Sequence, residues 1–355
     1  MTGVGAARVS RIPGAQERSC CCPVCGTAVQ AEPLEHSNDS SLYACSSCDL
    51  HFWYPVETPG AEWYEAAYQG RDSTAMPLEP GHLFFLNDER APKKGRLLDV
   101  GCGTGNFLAA ARDRGFEVTG IEQDRNAVQF AKDHYGLMNI AAELPEDHLR
   151  LNNIGRYDIV TFFEVLEHQK DPQAFLETAR SFLVPNGYIG LSVPNRNRWQ
   201  IGMDTLDYPP NHLTRWSPRA LQSFLEHNGF EVISIRPQRL TVWRAAQMLS
   251  ALTRIGAASY VAHEKTPTIA DFASLPIDEV RLKNDRLKRD KRQRLAASLA
   301  AWKVRFLTLP AFFLLPFLRL RGFVGLYLYC LARRKRPASE SDINAESFAE
   351  AKGRL

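Results

Sequence analysis

The chain has few features that would send it through a membrane or onto nucleic acid. Its one long apolar stretch, residues 306–318, is interrupted by Pro310 and Pro316 and is shorter than the roughly 20 residues that span a bilayer. Residues 1–20 contain no apolar segment of the kind found in secretory signals. A net charge of +3 over 355 residues is too small to indicate nucleic-acid binding by itself. These absences predict a globular cytoplasmic protein.

Eight cysteines are present, and six of them lie before residue 50. Without an export signal, paired cysteines indicate a metal site rather than disulfides. Cys22 and Cys25 form one Cys-x-x-Cys knuckle and Cys45 and Cys48 form a second, which is the arrangement of a zinc ribbon with four cysteine ligands. Four thiolates close the coordination shell, so the predicted zinc is structural rather than catalytic. A ligand from the pair Cys20–Cys21, a degenerate ribbon and redox-active cysteines are the open alternatives.

From about residue 95 the sequence alternates between strand-like and helical segments. Such alternation predicts an α/β fold with a doubly wound, mostly parallel sheet. Residues 240–321 do not alternate and are predicted to be a helical insertion. The apolar run Val324–Leu331 then fits a last buried strand better than a membrane element. The predicted organisation is a disordered leader (1–19), the zinc ribbon (20–55), a connector with helices (56–94), the α/β core (95–239), the basic and apolar insertion (240–321), the last core strand (322–336) and a disordered tail (337–355).

The most specific motif is the glycine-rich segment Asp99-Val100-Gly101-Cys102-Gly103-Thr104-Gly105. Glycines between a strand and a helix let the backbone turn tightly and approach a ligand closely. A dinucleotide fold would have the spacing Gly-x-Gly-x-x-Gly, and a carboxylate at Asp99 would repel a pyrophosphate. That carboxylate suits a ligand with an ammonium group, such as the methionyl part of S-adenosylmethionine. Glu122, at the end of the second strand, is placed to accept both hydroxyls of a ribose.

These motifs resemble those of the class I S-adenosylmethionine-dependent methyltransferases. The segment Tyr157–His168 is similar to the fourth strand of that family and the loop after it, and Phe182–Asn195 is similar to the fifth strand. The resemblance covers about residues 95–237 and implies a Rossmann-like, seven-stranded methyltransferase sheet, with 322–335 as its antiparallel last strand. It assigns Asp99, Gly101, Gly103 and Gly105 to the methionyl end of the cofactor, Glu122 to the ribose, Gln123, Ala142 and Glu143 to the adenine, and Glu164 and Val165 to the sulfonium.

Two histidines are candidate catalytic bases. Methyl transfer is an in-line displacement, so positioning supplies much of the rate, but an alcohol acceptor also needs a base that works near neutral pH. His168 follows the fourth strand and His212 precedes the next helix, which predicts both at the ligand-binding edge of the sheet. The alternatives are that His168 only shapes its loop and that His212 only caps backbone. His134, His148 and His227 are predicted to be solvated.

The acceptor is predicted from the ribbon and from the charged insertion. A ribbon followed by the aromatic residues of 50–68 resembles methyltransferases of bacterial polysaccharide and natural-product pathways, which implies a sugar, a glycan intermediate or a lipid-linked precursor. Residues 281–294 carry eight Lys and Arg side chains against two Asp. This run is either a solvated helix face or, together with the apolar stretch behind it, a peripheral contact of 281–321 with an anionic membrane. Nucleic acid is the weaker interpretation, because nothing else resembles an RNA-binding module.

The sequence therefore predicts an enzyme with two cofactors, S-adenosylmethionine as methyl donor and a structural zinc ion. The predicted reaction is methyl transfer to a hydroxyl of a sugar, glycan or lipid-linked acceptor at the cytoplasmic face of the membrane. The alternatives are an RNA or small-metabolite methyltransferase and a non-catalytic S-adenosylmethionine-binding protein. The intact Asp99, Glu122 and three glycines argue against the non-catalytic alternative. At this point O-, N- and C-methylation all stay open.

Overall fold

The computed structural model describes residues 20–37, 39–56, 75–151, 156–198, 207–252 and 302–336. The predicted leader and tail lie outside the described residues. So do most of the connector, including its aromatic residues at 63, 64 and 68, and residues 253–301 of the insertion with the charged run 281–294.

The described helices and strands are numbered here along the chain. The strands are β1 (Cys20–Cys21), β2 (Ala28–Val29), β3 (Glu35–Ser37), β4 (Ser40–Ala44), β5 (His51–Tyr54), β6 (Gly95–Val100), β7 (Phe116–Glu122), β8 (Ile140–Ala142), β9 (Tyr157–Phe163), β10 (Leu183–Pro194), β11 (Thr214–Arg215), β12 (Phe230–Arg239) and β13 (Val324–Arg334). The helices are α1 (Pro80–Asn87), α2 (Asn106–Arg112), α3 (Arg125–Tyr135), α4 (Pro145–Leu151), α5 (Pro172–Phe182), α6 (Pro218–His227), α7 (Val242–Leu252) and α8 (Thr308–Leu320), with a short 3-10 turn at Leu166–His168.

A seven-stranded sheet in the order β12-β13-β10-β9-β6-β7-β8 forms the centre of the fold. Strand β13 is antiparallel to both of its neighbours, while the pairs within β10-β9-β6-β7-β8 are parallel. The predicted Rossmann-like methyltransferase fold is therefore confirmed. In such a sheet the direction of winding changes between β6 and β9, and ligands bind in the crevice at the carboxyl ends of these strands.

Local signals in the sequence explain where the core helices begin. The side chain of Asp124 accepts hydrogen bonds from the first-turn amides of α3, and Asp171 does the same at α5. Ser217 caps α6, and Pro218 occupies its first turn. Short polar side chains satisfy backbone N–H groups that have no partner inside the helix, which fixes the position of each helix start. These caps place each helix on its face of the sheet.

The N-terminal cysteine module shares its sheet with the core. Strands β3, β4 and β5 are antiparallel neighbours, and β11 from the core adds a fourth strand beside β5. The backbone N–H of Trp53 also donates to the carbonyl of Leu213 at 3.0 Å. Backbone hydrogen bonds therefore join the module directly to the loop that precedes α6.

The described part of the insertion is a pair of packed helices, as the sequence predicts. Helices α7 and α8 bury Ala245, Ala246, Ala311 and Leu315 between them. Contrary to the expectation of a proline-broken stretch, α8 runs through both of its prolines. Pro310 lies in the first turn, where its missing N–H removes no intrahelical bond. Within the described residues, no helix is both long and apolar enough to cross a bilayer.

Candidate functional site

The glycine loop between β6 and α2 leaves open space beside its backbone. Gly101 has φ 73°, and a Cβ there would lie 2.7 Å from Cγ2 of Val165. Gly103 has φ 52°, and a Cβ there would have no heavy atom within 4 Å. Position 101 therefore needs glycine, both because its φ is positive and because its backbone packs closely on the loop after β9. Position 103 provides a cradle that a ligand can fill.

Two carboxyl groups lie behind this loop. Asp99 is 2% exposed and accepts a hydrogen bond from Oγ1 of Thr161 at 2.7 Å. Glu122 accepts from the backbone N–H of Gly103 at 2.9 Å, of Gln123 at 2.7 Å and of Asp124 at 3.0 Å. Burial raises the pKa of both groups, with that of Asp99 reaching about 8. A cation bound beside Asp99 would reverse this effect by stabilising the carboxylate.

The loop after β9 contributes a third carboxyl group. Glu164 has φ 55°, an unusual conformation for a residue with a side chain. Its N–H donates to the carbonyl of Ser192 at 2.9 Å, and its carboxyl accepts from the Ser192 hydroxyl at 2.7 Å. Burial, with Glu79 nearby, raises the pKa of Glu164 to about 8. Strained residues of this kind cluster at ligand sites, which agrees with the position of Glu164 beside the glycine loop.

The residues predicted to border the adenine lie at the ends of β7 and β8. Ala142 pairs with Glu122, and the N–H of Glu143 donates to the Glu122 carbonyl at 3.1 Å, so Gln123 shares this edge. The carboxyl of Glu143 lies 2.5 Å from Nδ1 of His148. His148 is only 5% exposed, so the prediction that it is solvated is wrong. Helix α4 turns the imidazole inward, where it packs on Phe182.

The donor set around the glycine loop fits S-adenosylmethionine. Asp99 and Glu164 carry carboxyl groups whose raised pKa values a cationic methionyl-sulfonium group would lower again. The backbone at Gly103 has open space beside it that a ligand can occupy. Glu122 is the last residue of β7, where its carboxyl group could accept both hydroxyls of a ribose. The sequence-predicted cofactor residues therefore lie together at this edge of the sheet.

Both candidate bases belong to one cluster around a buried carboxyl group. Glu167 is 0% exposed, and neither of its carboxyl oxygens has a hydrogen-bond partner among the described residues. Its Oε1 lies 3.7 Å from Nε2 of His168 and 3.9 Å from Nε2 of His212. These nitrogens and a carboxyl oxygen lie within 4.8 Å of one another, so the group has the ligand types of a divalent-cation site.

The tautomers of the two histidines follow from their other contacts. Nδ1 of His168 lies 2.6 Å from the Asn211 carbonyl, which can only accept, so Nδ1 carries the proton. Burial and the neighbouring His212 lower the pKa of His168 to about 3, so its ring is neutral. Nδ1 of His212 lies 3.3 Å from the carboxylate of Asp207. Although burial opposes it, hydrogen bonding with His212 and the charge of Arg198 lower the pKa of Asp207.

Nε2 of His168 is therefore a lone-pair nitrogen facing a buried carboxyl oxygen, and Nε2 of His212 faces the same oxygen. Lone pairs repel, and an isolated buried carboxylate is costly, so a proton or a cation must lie among these groups. Burial, followed by the charge of Glu164, raises the pKa of Glu167 well above its ordinary value. The cluster is thus built to hold a proton.

The ribbon fixes the loop that carries His212. The hydroxyl of Tyr208 donates to Glu35 at 2.6 Å, and Nη1 of Arg215 lies 2.7 Å from the same carboxylate. The guanidinium of Arg215 also lies 5.3 Å from the ring centre of Trp53. Asp49 adds an ion pair with Arg196 at 2.8 Å. Cation–π contacts and bidentate ion pairs of this kind position side chains well.

Sequence reasoning missed several residues that complete the site. Nδ2 of Asn106 donates to the carbonyls of Met76 and Pro77 at 3.2 and 2.9 Å, so the end of the connector covers the first turn of α2. Glu79 raises the pKa of Glu164. A proline at the first helical position, here Pro80, is a helix-start signal that could have found α1 and its neighbour Glu79. The pairing of Asp207 with His212 has no comparable signal.

The four predicted zinc ligands come together in the ribbon. Sγ of Cys22 lies 3.6 Å from that of Cys48, and Sγ of Cys25 lies 3.4 Å from that of Cys45. All four sulfurs lie within 4.8 Å of one another. Zn–S bonds of about 2.3 Å place tetrahedral sulfurs about 3.8 Å apart, so the donor set fits zinc. Of the alternative pair, Cys20 directs its thiol to the Val29 carbonyl and Cys21 is exposed outside the four-sulfur cluster.

Comparison with known proteins agrees with this geometry. A family model described as "Methyltransferase domain" matches residues 75–235. A ubiquinone biosynthesis O-methyltransferase of Coxiella burnetii (strain RSA 331 / Henzerling II) is 27% identical over 200 residues, which cover 55% of this chain and 80% of that protein. Its namesake from Bordetella avium (strain 197N) is 30% identical over 141 residues, covering 39% of this chain and 58% of that protein.

A solved structure of a SAM-dependent methyltransferase from Archaeoglobus fulgidus is also similar. It is 16% identical, with 78% of this chain and 95% of that chain covered, and its TM-score of 0.40 is too low to support any site assignment. The assignment depends instead on the family model, the strand order and the glycine loop. The chain therefore contains a class I S-adenosylmethionine-dependent methyltransferase domain, which the family model matches over residues 75–235.

Proposed function

We propose that the enzyme methylates a hydroxyl group of a small metabolite. The relatives named ubiquinone biosynthesis O-methyltransferases favour this acceptor class over the sugar, glycan or lipid-linked precursor that the sequence suggested first. The observation that carries the proposal is the buried Glu167 carboxyl group between the Nε2 atoms of His168 and His212. Transfer to oxygen releases a hydroxyl proton, and this cluster can receive it.

The cofactor residues hold and orient the methyl donor. S-adenosylmethionine, when bound, supplies an electrophilic methyl group on a positively charged sulfur. Asp99 and the open backbone at Gly103 would hold its methionyl end, and Glu122 would hold its ribose. Glu164 and Val165 would lie against the sulfonium. The Glu164 carboxylate would stabilise positive charge there, and Val165, the next residue, packs on Gly101.

His212 is the base in this proposal, and His168 positions it. Asp207 holds Nδ1–H of His212, which leaves Nε2 to accept the proton of the acceptor hydroxyl. The imidazolium formed would then be stabilised by the carboxylate of Asp207, 3.3 Å from its Nδ1, while the buried Glu167 carboxyl group lies 3.9 Å from its Nε2. His168 binds the Asn211 carbonyl and so fixes the loop one residue before His212. A divalent cation on the same three side chains would occupy Nε2 of His212 and would act in place of the base, by acidifying the hydroxyl.

Replacing His212 by asparagine should lower kcat by about 10²- to 10⁴-fold, the usual contribution of a general base. The affinity for S-adenosylmethionine should change less than about twofold, because His212 lies outside the glycine-loop site. Steady-state kinetics and calorimetric titration measure the two quantities. His227→Asn is the matched control, since His227 is exposed on the last turn of α6. An unchanged kcat in His212→Asn would remove the base from the proposal.

The acceptor class is tested with methyl-labelled cofactor and a host-cell extract that is separated by ultrafiltration into small molecules and macromolecules. We expect label in the small-molecule fraction as a methoxy group, identified by carbon NMR. Label on nitrogen or carbon, or only on macromolecules, would contradict O-methylation of a small metabolite. Activity with and without added Mg²⁺, an ion with little affinity for thiolates, reports whether a cation takes part.

Binding of S-adenosylmethionine should release protons. Asp99 and Glu164 both have pKa values of about 8 in the free protein, so below pH 8 they are largely protonated and must ionise to hold a cation. Affinity should therefore fall as the pH is lowered below 8, by about tenfold per pH unit for each proton released. S-adenosylhomocysteine lacks the sulfonium charge and should release fewer protons. Calorimetry in buffers of different ionisation enthalpy counts the protons, and equal counts for the two ligands would exclude Glu164 as the sulfonium partner.

We also propose that the ribbon binds one structural zinc ion. The four-sulfur cluster has suitable spacing, and hydrogen bonding with Cys22 together with burial raises the pKa of Cys48. A divalent ion would offset this and convert the crowded thiols to thiolates. Since all four coordination positions are filled by sulfur, the ion would organise β1–β5 and take no part in methyl transfer.

A further inference from the structure

Helix α8 is apolar on the face that packs on α7 and also on the opposite face. Ala311 and Leu315 are 0% and 7% exposed. On the other side Leu309, Phe313, Phe317 and Leu320 follow each other at helical spacing and are 67%, 73%, 51% and 87% exposed. A surface helix of a globular domain normally carries polar residues on its outer face. An exposed apolar patch of this kind marks an interaction site.

Two exposed tryptophans extend this patch. Trp302, whose ring centre lies 4.3 Å from that of Phe306, is 62% exposed, and Trp243 on α7 is 46% exposed. Tryptophan is typical of the boundary between lipid and water, because its ring is apolar and its N–H is polar. We call the exposed side chains of residues 302–320 together with Trp243 the α7–α8 patch.

The charged side chains around the α7–α8 patch are all positive. Residues 237–252 and 302–323 contain no Asp or Glu. They contain six cationic side chains: Arg239, Arg244, Lys303, Arg305, Arg319 and Arg321. Cations that flank an apolar helix face complement the negative surface of an anionic bilayer. A second copy of the chain fits less well, because a two-fold interface would bring two such sets of cations together.

The patch lies at the same edge of the sheet as the active site. Arg239, which ends β12, pairs with Val324, which begins β13, and α7 and α8 are attached at these two points. Two residues further along β13, the Leu326 carbonyl accepts from the N–H of Asn195, just past the end of β10. Burial first and then the charge of Glu164 raise the pKa of Tyr327, while Arg244 of α7 lowers it. Helix α7 and the loop after β9, which carries Glu164, therefore both lie near Tyr327.

We propose that the α7–α8 patch docks on an anionic phospholipid bilayer and turns the active-site edge towards the lipid surface. The docking would be interfacial: α8 would lie in the headgroup region with its outer face among the acyl chains. Of the segment 281–321 that the sequence suggested for membrane contact, residues 302–321 carry this inference, and 281–301 lie outside the described residues. The proposal does not depend on the acceptor chemistry.

The test is flotation of the full chain with phosphatidylglycerol–phosphatidylcholine vesicles and with pure phosphatidylcholine vesicles. We expect binding to the anionic vesicles that falls steeply as salt rises, since exposed charges are screened. The double variant Phe313→Ser/Phe317→Ser should lose about tenfold or more in partition coefficient, because two large side chains no longer enter the apolar layer. Arg305→Gln/Arg321→Gln should lose about tenfold on anionic vesicles alone.

The matched control is Met138→Ser/Leu151→Ser, which removes two apolar side chains outside the α7–α8 patch that are each 75% exposed, one before the edge strand β8 and one at the end of α4. It should bind vesicles like the parent protein. Absence of binding by the parent, or equal loss in the control, would overturn the proposal. So would a dimer in light scattering that the Phe313→Ser/Phe317→Ser variant converts to monomer, because the patch would then be a subunit interface. Vesicle binding needs neither cofactor nor acceptor, so its failure would leave the proposed methyl transfer untouched.

Discussion

Replacing Glu122 by alanine is expected to weaken the binding of S-adenosylmethionine by at least roughly a hundredfold. In the ligand-free protein the Glu122 carboxyl accepts three backbone N–H groups, including that of Gly103, and so sets the shape of the glycine loop. In the complex it would accept the ribose hydroxyls. Each hydrogen bond to a charged group contributes about 1.5–3 kcal/mol, so the loss of two corresponds to roughly 10²- to 10⁴-fold in affinity.

Isothermal titration with S-adenosylmethionine measures this effect. Glu117→Ala is the matched control, because Glu117 lies on the same strand with an exposed side chain. Glu122→Gln separates charge from shape: it keeps an acceptor oxygen but loses the negative charge, and an intermediate affinity is expected. If Glu122→Ala bound the cofactor as tightly as the parent, the ribose assignment would be wrong.

Removal of the zinc ion that we propose for the ribbon is expected to abolish methyl transfer while cofactor binding persists. Structural zinc contributes on the order of 10 kcal/mol to the folding of small metal sites, so the ribbon should unfold without it. Unfolding would release Arg215 and Tyr208 from Glu35, and with them the loop that holds His212. The glycine loop, on the far side of β9, keeps its own contacts.

Elemental analysis should find one zinc per chain, and thermal unfolding with and without a strong chelator should show a separate early transition for the ribbon. Cys45→Ser should reproduce the effect of the chelator, since this cysteine is buried in the four-sulfur cluster. Cys21→Ser, at an exposed cysteine outside the cluster, should have no effect. Metal-free protein with the stability and activity of the parent would exclude the ribbon site.

The parts of the fold that local signals determine could be predicted from the sequence. The glycine loop, the caps at Asp124, Asp171 and Ser217 and the buried strands all depend on residues a few positions apart. Asn186 has φ 63° at the irregularity between Leu183 and Tyr188 in β10, a conformation that asparagine adopts more readily than most residues. The cysteine knuckles are likewise recognisable by their spacing.

The parts that could not be predicted depend on contacts between distant residues. His148 lies on a short polar helix, and only the tertiary packing of α4 on Phe182 buries it. The pairing of Glu167 with His212 joins two loops that follow different strands. The end of the connector covers the first turn of α2 because the carbonyls of Met76 and Pro77 accept hydrogen bonds from Asn106. None of these contacts leaves a periodic or spaced pattern in the chain.

The fourth strand of the ribbon sheet comes from Thr214–Arg215, deep in the core sequence. Gene fusions that exchange residues 1–55 for those of another methyltransferase would therefore separate β11 from the other three strands of this sheet. The incoming ribbon would need its own partners for Arg196, Tyr208 and Arg215, or the graft would leave buried charges without counterions. In evolution the ribbon and residues 207–217 should be inherited together, so homologues that lack the cysteine knuckles should also carry a different loop before α6.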